Sequence, residues 1–148
     1  MTRLETQLDA LTLLLGGVSR QALERRPAPG KWSAHENLAH LARYHEVFLE
    51  RLRQIIAENA PQLGQYRAET DPEWPKWTGP STEEVLERMK ARRGELIEAV
   101  RKLTPEQLRR TGVHPNFGEM TIPMWLELFL EHEGHHLYVV LQRTRESK

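Results

Sequence analysis

The segment His132-Glu133-Gly134-His135-His136 places three imidazoles within five residues. Apolar runs flank it, Trp125-Leu126-Glu127-Leu128-Phe129-Leu130 before and Leu137-Tyr138-Val139-Val140-Leu141 after, so it reads as part of a helix. Residues four apart on a helix share a face, about 6 Å apart along the axis. His132 and His136 are therefore spaced to bind one metal ion together, imidazole being the commonest protein metal ligand. His135 competes for the pairing, since it lies three residues from His132. His136 is favoured because Trp125, Leu128, Phe129, His132 and Val139 share its stripe, which leaves His135 exposed or behind the ligands.

A third ligand must come from another element. His40, in Asn37-Leu38-Ala39-His40-Leu41, lies with Tyr44 and Val47 at the edge of an apolar arc and is the favoured candidate. His45, nearer the middle of that arc, competes with it. His35 is expected in a solvated first turn, and His114 in a loop. The same five residues also match H-E-x-x-H, the zinc peptidase signature in which the Glu is general base. Against that reading, no His follows His136, and no sheet is expected to hold an extended peptide.

Four helical segments must position these side chains. The first spans about Thr2 to Val18, with Leu4, Leu8, Leu11 and Leu15 on one face and Gly16-Gly17 at its end. The second opens on the capping box Ser33-Ala34-His35-Glu36 and fades near Asn59-Ala60-Pro61. The third opens on Ser81-Thr82-Glu83-Glu84 and runs past Val100. The fourth covers Thr121 to Thr144, with Pro123 in its first turn, where a missing N–H costs little. Thr104-Pro105-Glu106-Gln107-Leu108 adds a short turn of helix, and no strand is expected. The stretch from Pro61 to Pro80 is long for a loop inside a compact domain, and such loops are often functional. It permits a crossover to a parallel neighbour in a four-helix bundle. Its Trp74 and Trp77 are expected to pin it to the bundle or to line a pocket.

Composition limits the alternatives. The 148 residues suit one domain, residues 1–148, with one core. Lys and Arg number 21, as do Asp and Glu, so bulk charge draws the chain to no nucleic acid. Cysteine is absent, which removes disulfides and thiolate ligands. No apolar run approaches the roughly 18 residues of a membrane span, and the N-terminus lacks the features of a signal peptide. A cytoplasmic protein is expected.

Pro29-Gly30-Lys31-Trp32-Ser33, Glu36 and His40-Leu41 resemble the opening of the DinB-like (DNA-damage-inducible) superfamily, which includes the YfiT-type metal hydrolases. Leu103-Thr104-Pro105-Glu106-Gln107-Leu108, His114-Pro115-Asn116-Phe117-Gly118-Glu119, His132 and His136 resemble its second half. The resemblance runs from about Ser19 to Gln142. It implies an all-α, up-down-down-up four-helix bundle with a long crossover between helices 2 and 3. It also implies a metal site of His40, His132 and His136. The stretch Leu41 to Glu46 departs from the family, whose members often carry an acid shortly after the first ligand. Similar proteins include transferases and isomerases that use low-molecular-weight thiols.

Two function classes follow. One is a metal-dependent enzyme that activates a thiol or water against a small molecule, its pocket walled by Trp74, Trp77, Phe117 and Tyr44. The other is a non-catalytic, stress-related protein with a structural metal. The ion is expected to be zinc or nickel, with iron or manganese as alternatives. A second apolar line on the last helix, Leu126, Leu130, Leu137 and Leu141, together with the resemblance, suggests a homodimer.

Overall fold

A computed structural model describes residues 1–146. Its long helices are α4 (Ala34–Ala57), α6 (Thr82–Arg101) and α8 (Ile122–Arg145), which follow the expected second, third and fourth segments closely. Both expected capping boxes close, with Ser33 on Glu36 and Ser81 on Glu84, and Thr104 with Gln107 forms a third. The first segment is interrupted. It comprises α1 (Thr2–Thr6), a 3-10 turn at Gln7–Asp9 and α2 (Ala10–Leu15), followed by a separate α3 (Arg20–Glu24). The interruption coincides with Gln7, whose amide nitrogen reaches the Leu130 carbonyl and the Glu133 carboxylate, both at 2.9 Å.

Side-chain pairings set the helix directions. The start of α4 meets the start of α6 through His35 and Thr82, and their middles meet through Glu46 and Arg92, so the two run parallel. Asn37 meets His136, His40 meets His132 and Phe48 meets Phe129, so α4 and α8 are antiparallel. Arg3 reaches Glu127 and Glu131 while Arg25 reaches the Glu146 carbonyl, so the N-terminal segment runs with α8. The result is an all-α, up-down-down-up four-helix bundle.

The crossover between α4 and α6 is more ordered than a plain loop. It carries a 3-10 turn at Ala68–Thr70 and the short helix α5 (Trp74–Thr78). After the short helix α7 (Pro105–Leu108) comes a hairpin that was not expected from sequence, β1 (Thr111–His114) paired antiparallel with β2 (Gly118–Thr121). Strands of four residues are too short to show an alternation. The turn chemistry of Pro115-Asn116-Phe117-Gly118 was the available signal, Gly118 taking φ 72°. Gly112 is required by packing, since a Cβ there would lie 2.8 Å from Ile55 Cγ1.

The apolar core falls into two clusters. One holds Phe48, Leu52, Ile55, Leu96, Trp125 and Phe129, the other Leu11, Leu38, Leu41, Val85, Met89, Leu137 and Val140. Along α4, α6 and α8 the sequence passes from one cluster to the other through polar residues, His40 and His45, Arg93, and His132, Glu133 and His136. The second apolar line of α8 is partly consumed inside the chain, because Leu130 and Leu137 are buried. Leu126 and Leu141, the other two members of the line, are half-buried. No helix among the described residues is long and apolar enough to cross a membrane.

Candidate metal centre

His40 projects from α4, and His132 and His136 from successive turns of α8. One ring nitrogen from each lies within 4.8 Å of the others. The ring centroids are 4.5 to 5.0 Å apart. His40 Nε2 faces His132 Nε2 at 3.0 Å. The Nδ1 atoms of these two rings are buried without a hydrogen-bond partner among the described residues. His136 Nδ1 instead meets Asn37 Oδ1 at 2.8 Å.

Burial is the first cause that holds all three imidazoles neutral. It pushes His40 down to about 3, with the His132 ring adding to the effect. His132 falls to about 4 and His136 to about 2, neighbouring rings again contributing. Neutral imidazoles keep a lone pair for a metal at every physiological pH. Two nitrogen atoms facing at 3.0 Å must share a proton or a cation between them. Three neutral nitrogen donors that converge in this way fit a divalent metal ion.

The walls are aromatic. Trp32 lies 5.1 Å from the His40 ring and 5.3 Å from Trp74, which is itself 6.4 Å from His40. Tyr66 stacks on His40 at 5.7 Å, and Tyr44 packs against His132 at 4.4 Å. Arg51 donates to the Tyr44 hydroxyl at 2.8 Å. Asp71 holds the crossover in place. It accepts from Arg43 Nε at 2.7 Å, from the Tyr66 hydroxyl at 3.0 Å and from the Glu73 amide at 2.9 Å. Tyr66, Arg43 and Arg51 also line a cavity of about 600 Å³, whose lining does not include the three histidines.

Of the four expected wall residues, Tyr44 and Trp74 are beside the histidines. Trp77 is not. It is buried in the core cluster of Leu38 and Met89, with the Arg88 guanidinium over its ring. Phe117 is 62% exposed at the hairpin tip and stacks on His114. His114 Nδ1 accepts from the Asn116 and Phe117 amides, which is a turn-stabilising role. His35 is buried rather than solvated, between the Thr82 hydroxyl and the Thr78 carbonyl, where it pins α5 to α4. His135 is exposed, as expected. Trp32, Asn37 and Tyr66 were missed. Asn37 left a faint signal, a polar residue one turn before His40 among Ala34, Leu38 and Leu41.

His45 does not join the site. Its Nδ1 meets the Leu41 carbonyl at 2.7 Å and its Nε2 lies 3.6 Å from Glu133. Glu133 is fully buried and paired with Arg93. One residue along a helix is a turn of about 100°, which carries Glu133 away from its neighbour His132. The peptidase reading needs this carboxylate as a base at the metal, and its commitment to Arg93 and Gln7 removes it.

Comparison with known proteins places the chain among relatives. The chain is 26% identical over 138 residues to "Uncharacterized protein YuaE" of Bacillus subtilis, covering 83% of each chain. It is 21% identical over 142 residues to "Putative metal-dependent hydrolase OB0413" of Oceanobacillus iheyensis, covering 93% of this chain and 79% of that protein. Among solved structures it superposes on YfiT from Bacillus subtilis, described as a probable metal-dependent hydrolase with an unusual four-helix bundle topology. The TM-score is 0.82 at 21% identity, over 99% of this chain and 84% of that one. The sequence model of the DinB superfamily matches residues 3–140, and the chain belongs to that family.

Proposed function

We propose that His40, His132 and His136 hold one divalent metal ion in an open site, and that the protein is a metal-dependent enzyme acting on a small molecule. The observation that carries this reading is the convergence of three neutral imidazole nitrogens, within 4.8 Å, from two antiparallel helices. The group has three members and the chain has no cysteine. A structural zinc site is ordinarily closed by four protein ligands, whereas three leave a position for water or substrate. Imidazole donors suit zinc, nickel and iron, and manganese, which prefers oxygen ligands, comes after them. An ion held there supplies Lewis acidity, which lowers the pKa of a water or thiol beside it.

The chain's own residues supply the rest. Trp32, Trp74 and Tyr66 hold bulk water from the His40 side and offer flat apolar surface to a substrate. Tyr44 accepts from Arg51, so its own hydroxyl proton remains available to a group at the site. The names of the relatives support hydrolysis with water as the nucleophile. The family resemblance supports a low-molecular-weight thiol, and the absence of cysteine is consistent with the thiol being a separate molecule. A cytoplasmic location belongs to the same proposal.

Metal analysis of the purified protein tests the site. One ion per chain is expected for the wild type and for His135→Ala, and none for His40→Ala, His132→Ala or His136→Ala. Loss in His135→Ala with retention in His136→Ala would refute the ligand set. Cobalt substitution then separates the nucleophiles. A thiolate charge-transfer band that appears with millimolar thiol and strengthens as pH rises supports the thiol. An unchanged spectrum assigns the site to water.

A further inference from the structure

We infer that Asn37 is the positioning residue of this centre, because it fixes which nitrogen of His136 carries the proton. Asn37 is 2% exposed, one turn before His40 on the same helix. Its Nδ2 donates to the Ser33 carbonyl at 2.7 Å. A carbonyl can only accept, so the amide nitrogen must lie on the Ser33 side and the amide oxygen on the His136 side. That oxygen can only accept in turn. His136 Nδ1, 2.8 Å away, must therefore carry hydrogen. A neutral imidazole has one N–H, so the lone pair is left on Nε2.

The chain of constraint begins in the backbone. Ser33 caps α4, and its carbonyl already accepts the Asn37 amide at 3.1 Å. The start of the helix thus dictates the amide orientation, and the amide dictates the imidazole. His40 and His132 have no such partner on Nδ1 among the described residues. Among the described residues, His136 is the one ring of the three whose Nδ1 is held by an oxygen that can only accept. Its consequence for metal binding rests on the reading proposed above, but its geometry does not. Groups of this kind behind a ligating histidine typically change metal affinity by roughly 10–100-fold when removed.

Two measurements test it on the 148-residue chain. Long-range 1H–15N correlation spectra of the metal-free, 15N-histidine-labelled protein report the tautomer of each ring. His136 is expected as the Nδ1–H form in the wild type and in Asn37→Asp, which loses the donation to Ser33 but keeps an acceptor toward His136, and as a mixture in Asn37→Leu. Cobalt titration of the same proteins should show affinity roughly 10–100-fold weaker in Asn37→Leu and restored in Asn37→Asp. A purely structural role would lower the melting temperature of both variants without this split. Should the wild type bind no cobalt, the metal reading falls and the tautomer spectrum alone decides the inference. A wild-type His136 in the Nε2–H form, or cobalt affinity unchanged in a folded Asn37→Leu, overturns it.

Discussion

Two polar groups share α4 and α8, the second drawing also on α6 and the N-terminal segment, and they have opposite characters. The first, His40 with His132 and His136, is neutral, partly open and walled by aromatic rings. The second, His45 with Glu133, Arg93 and Gln7, is closed and charged, the carboxylate lying against the guanidinium. His132 and Glu133 are adjacent in sequence yet serve different groups. In the first group donors converge with nothing of opposite charge to answer them. In the second every strong charge is answered by a neighbour. Polarity inside a bundle is thus of two kinds, one in which neutral donors converge and one that ties helices together. The N-terminal segment belongs to the second kind, since Gln7 and the Leu4 carbonyl both enter that network.

The largest expected effect comes from breaking the closed group. Glu133→Ala leaves the Arg93 charge buried without its partner and should cost about 3 kcal/mol, the usual scale for half of a buried pair. Urea unfolding measures the loss. The same variant should still bind one metal per chain, and His136→Ala should show the reverse pattern. If Glu133→Ala abolished metal without destabilising the fold, the division into two groups would be wrong.

Acid sharpens the comparison with a smaller effect. Burial depresses His40, His132 and His136 in the first group and His45, to about 3, in the second. Their folded pKa values lie below the unfolded value of about 6.5. The unfolded chain therefore takes up protons first as pH falls. Stability from these neutral rings is fully present above pH about 6.5 and is lost as pH drops toward about 3, by at most about 1.4 kcal/mol per pH unit for each ring. The melting temperature of metal-free protein should fall steadily over that window. A His45→Gln variant should give a shallower slope, and an identical slope would remove His45 from the account.

The smallest effect concerns the walls of the open group. Asp71→Asn weakens the hold on Arg43 and Tyr66, in a half-buried place where such pairs contribute about 1 kcal/mol or less. Burial raises the Asp71 carboxyl, but Arg43, the Glu73 amide and Tyr66 together hold it below its ordinary value. The substitution should leave metal content intact and change the intrinsic fluorescence of Trp74, which directly follows Glu73, whose amide Asp71 holds. Unchanged fluorescence would mean that Asp71 does not place the wall.

The three long helices and the pairing of His132 with His136 were legible because both rest on local periodicity, whereas His40 was preferred to His45 from its place at the edge of an apolar arc and from the family resemblance. Capping at Ser33 and Ser81, and the four-residue step from His132 to His136, are properties of short segments. The hairpin was not legible, since its strands are stabilised by partners distant in sequence, such as Pro61 with Val113 and Gly112 with Trp125. The burial of His35 was hidden for the same reason, its partners Thr78 and Thr82 arriving from the crossover. Trp77 and Phe117 show the limit of reading aromatic residues as pocket walls. Trp77 filled the core against residues distant in sequence, whereas Phe117 stacks on His114 at the hairpin turn.

The up-down-down-up order places the halves of the open group far apart along the chain. His40 and His132 are separated by 92 positions, Asn37 and His136 by 99. A chain emerging from synthesis can form α4 and α6 and still possess no three-histidine site until α8, the last 24-residue helix, has docked. Contacts of such separation form late and slow folding. A ligand that requires the complete site binds the native state alone, and at 100 times its dissociation constant it would deepen the native basin by about 2.7 kcal/mol.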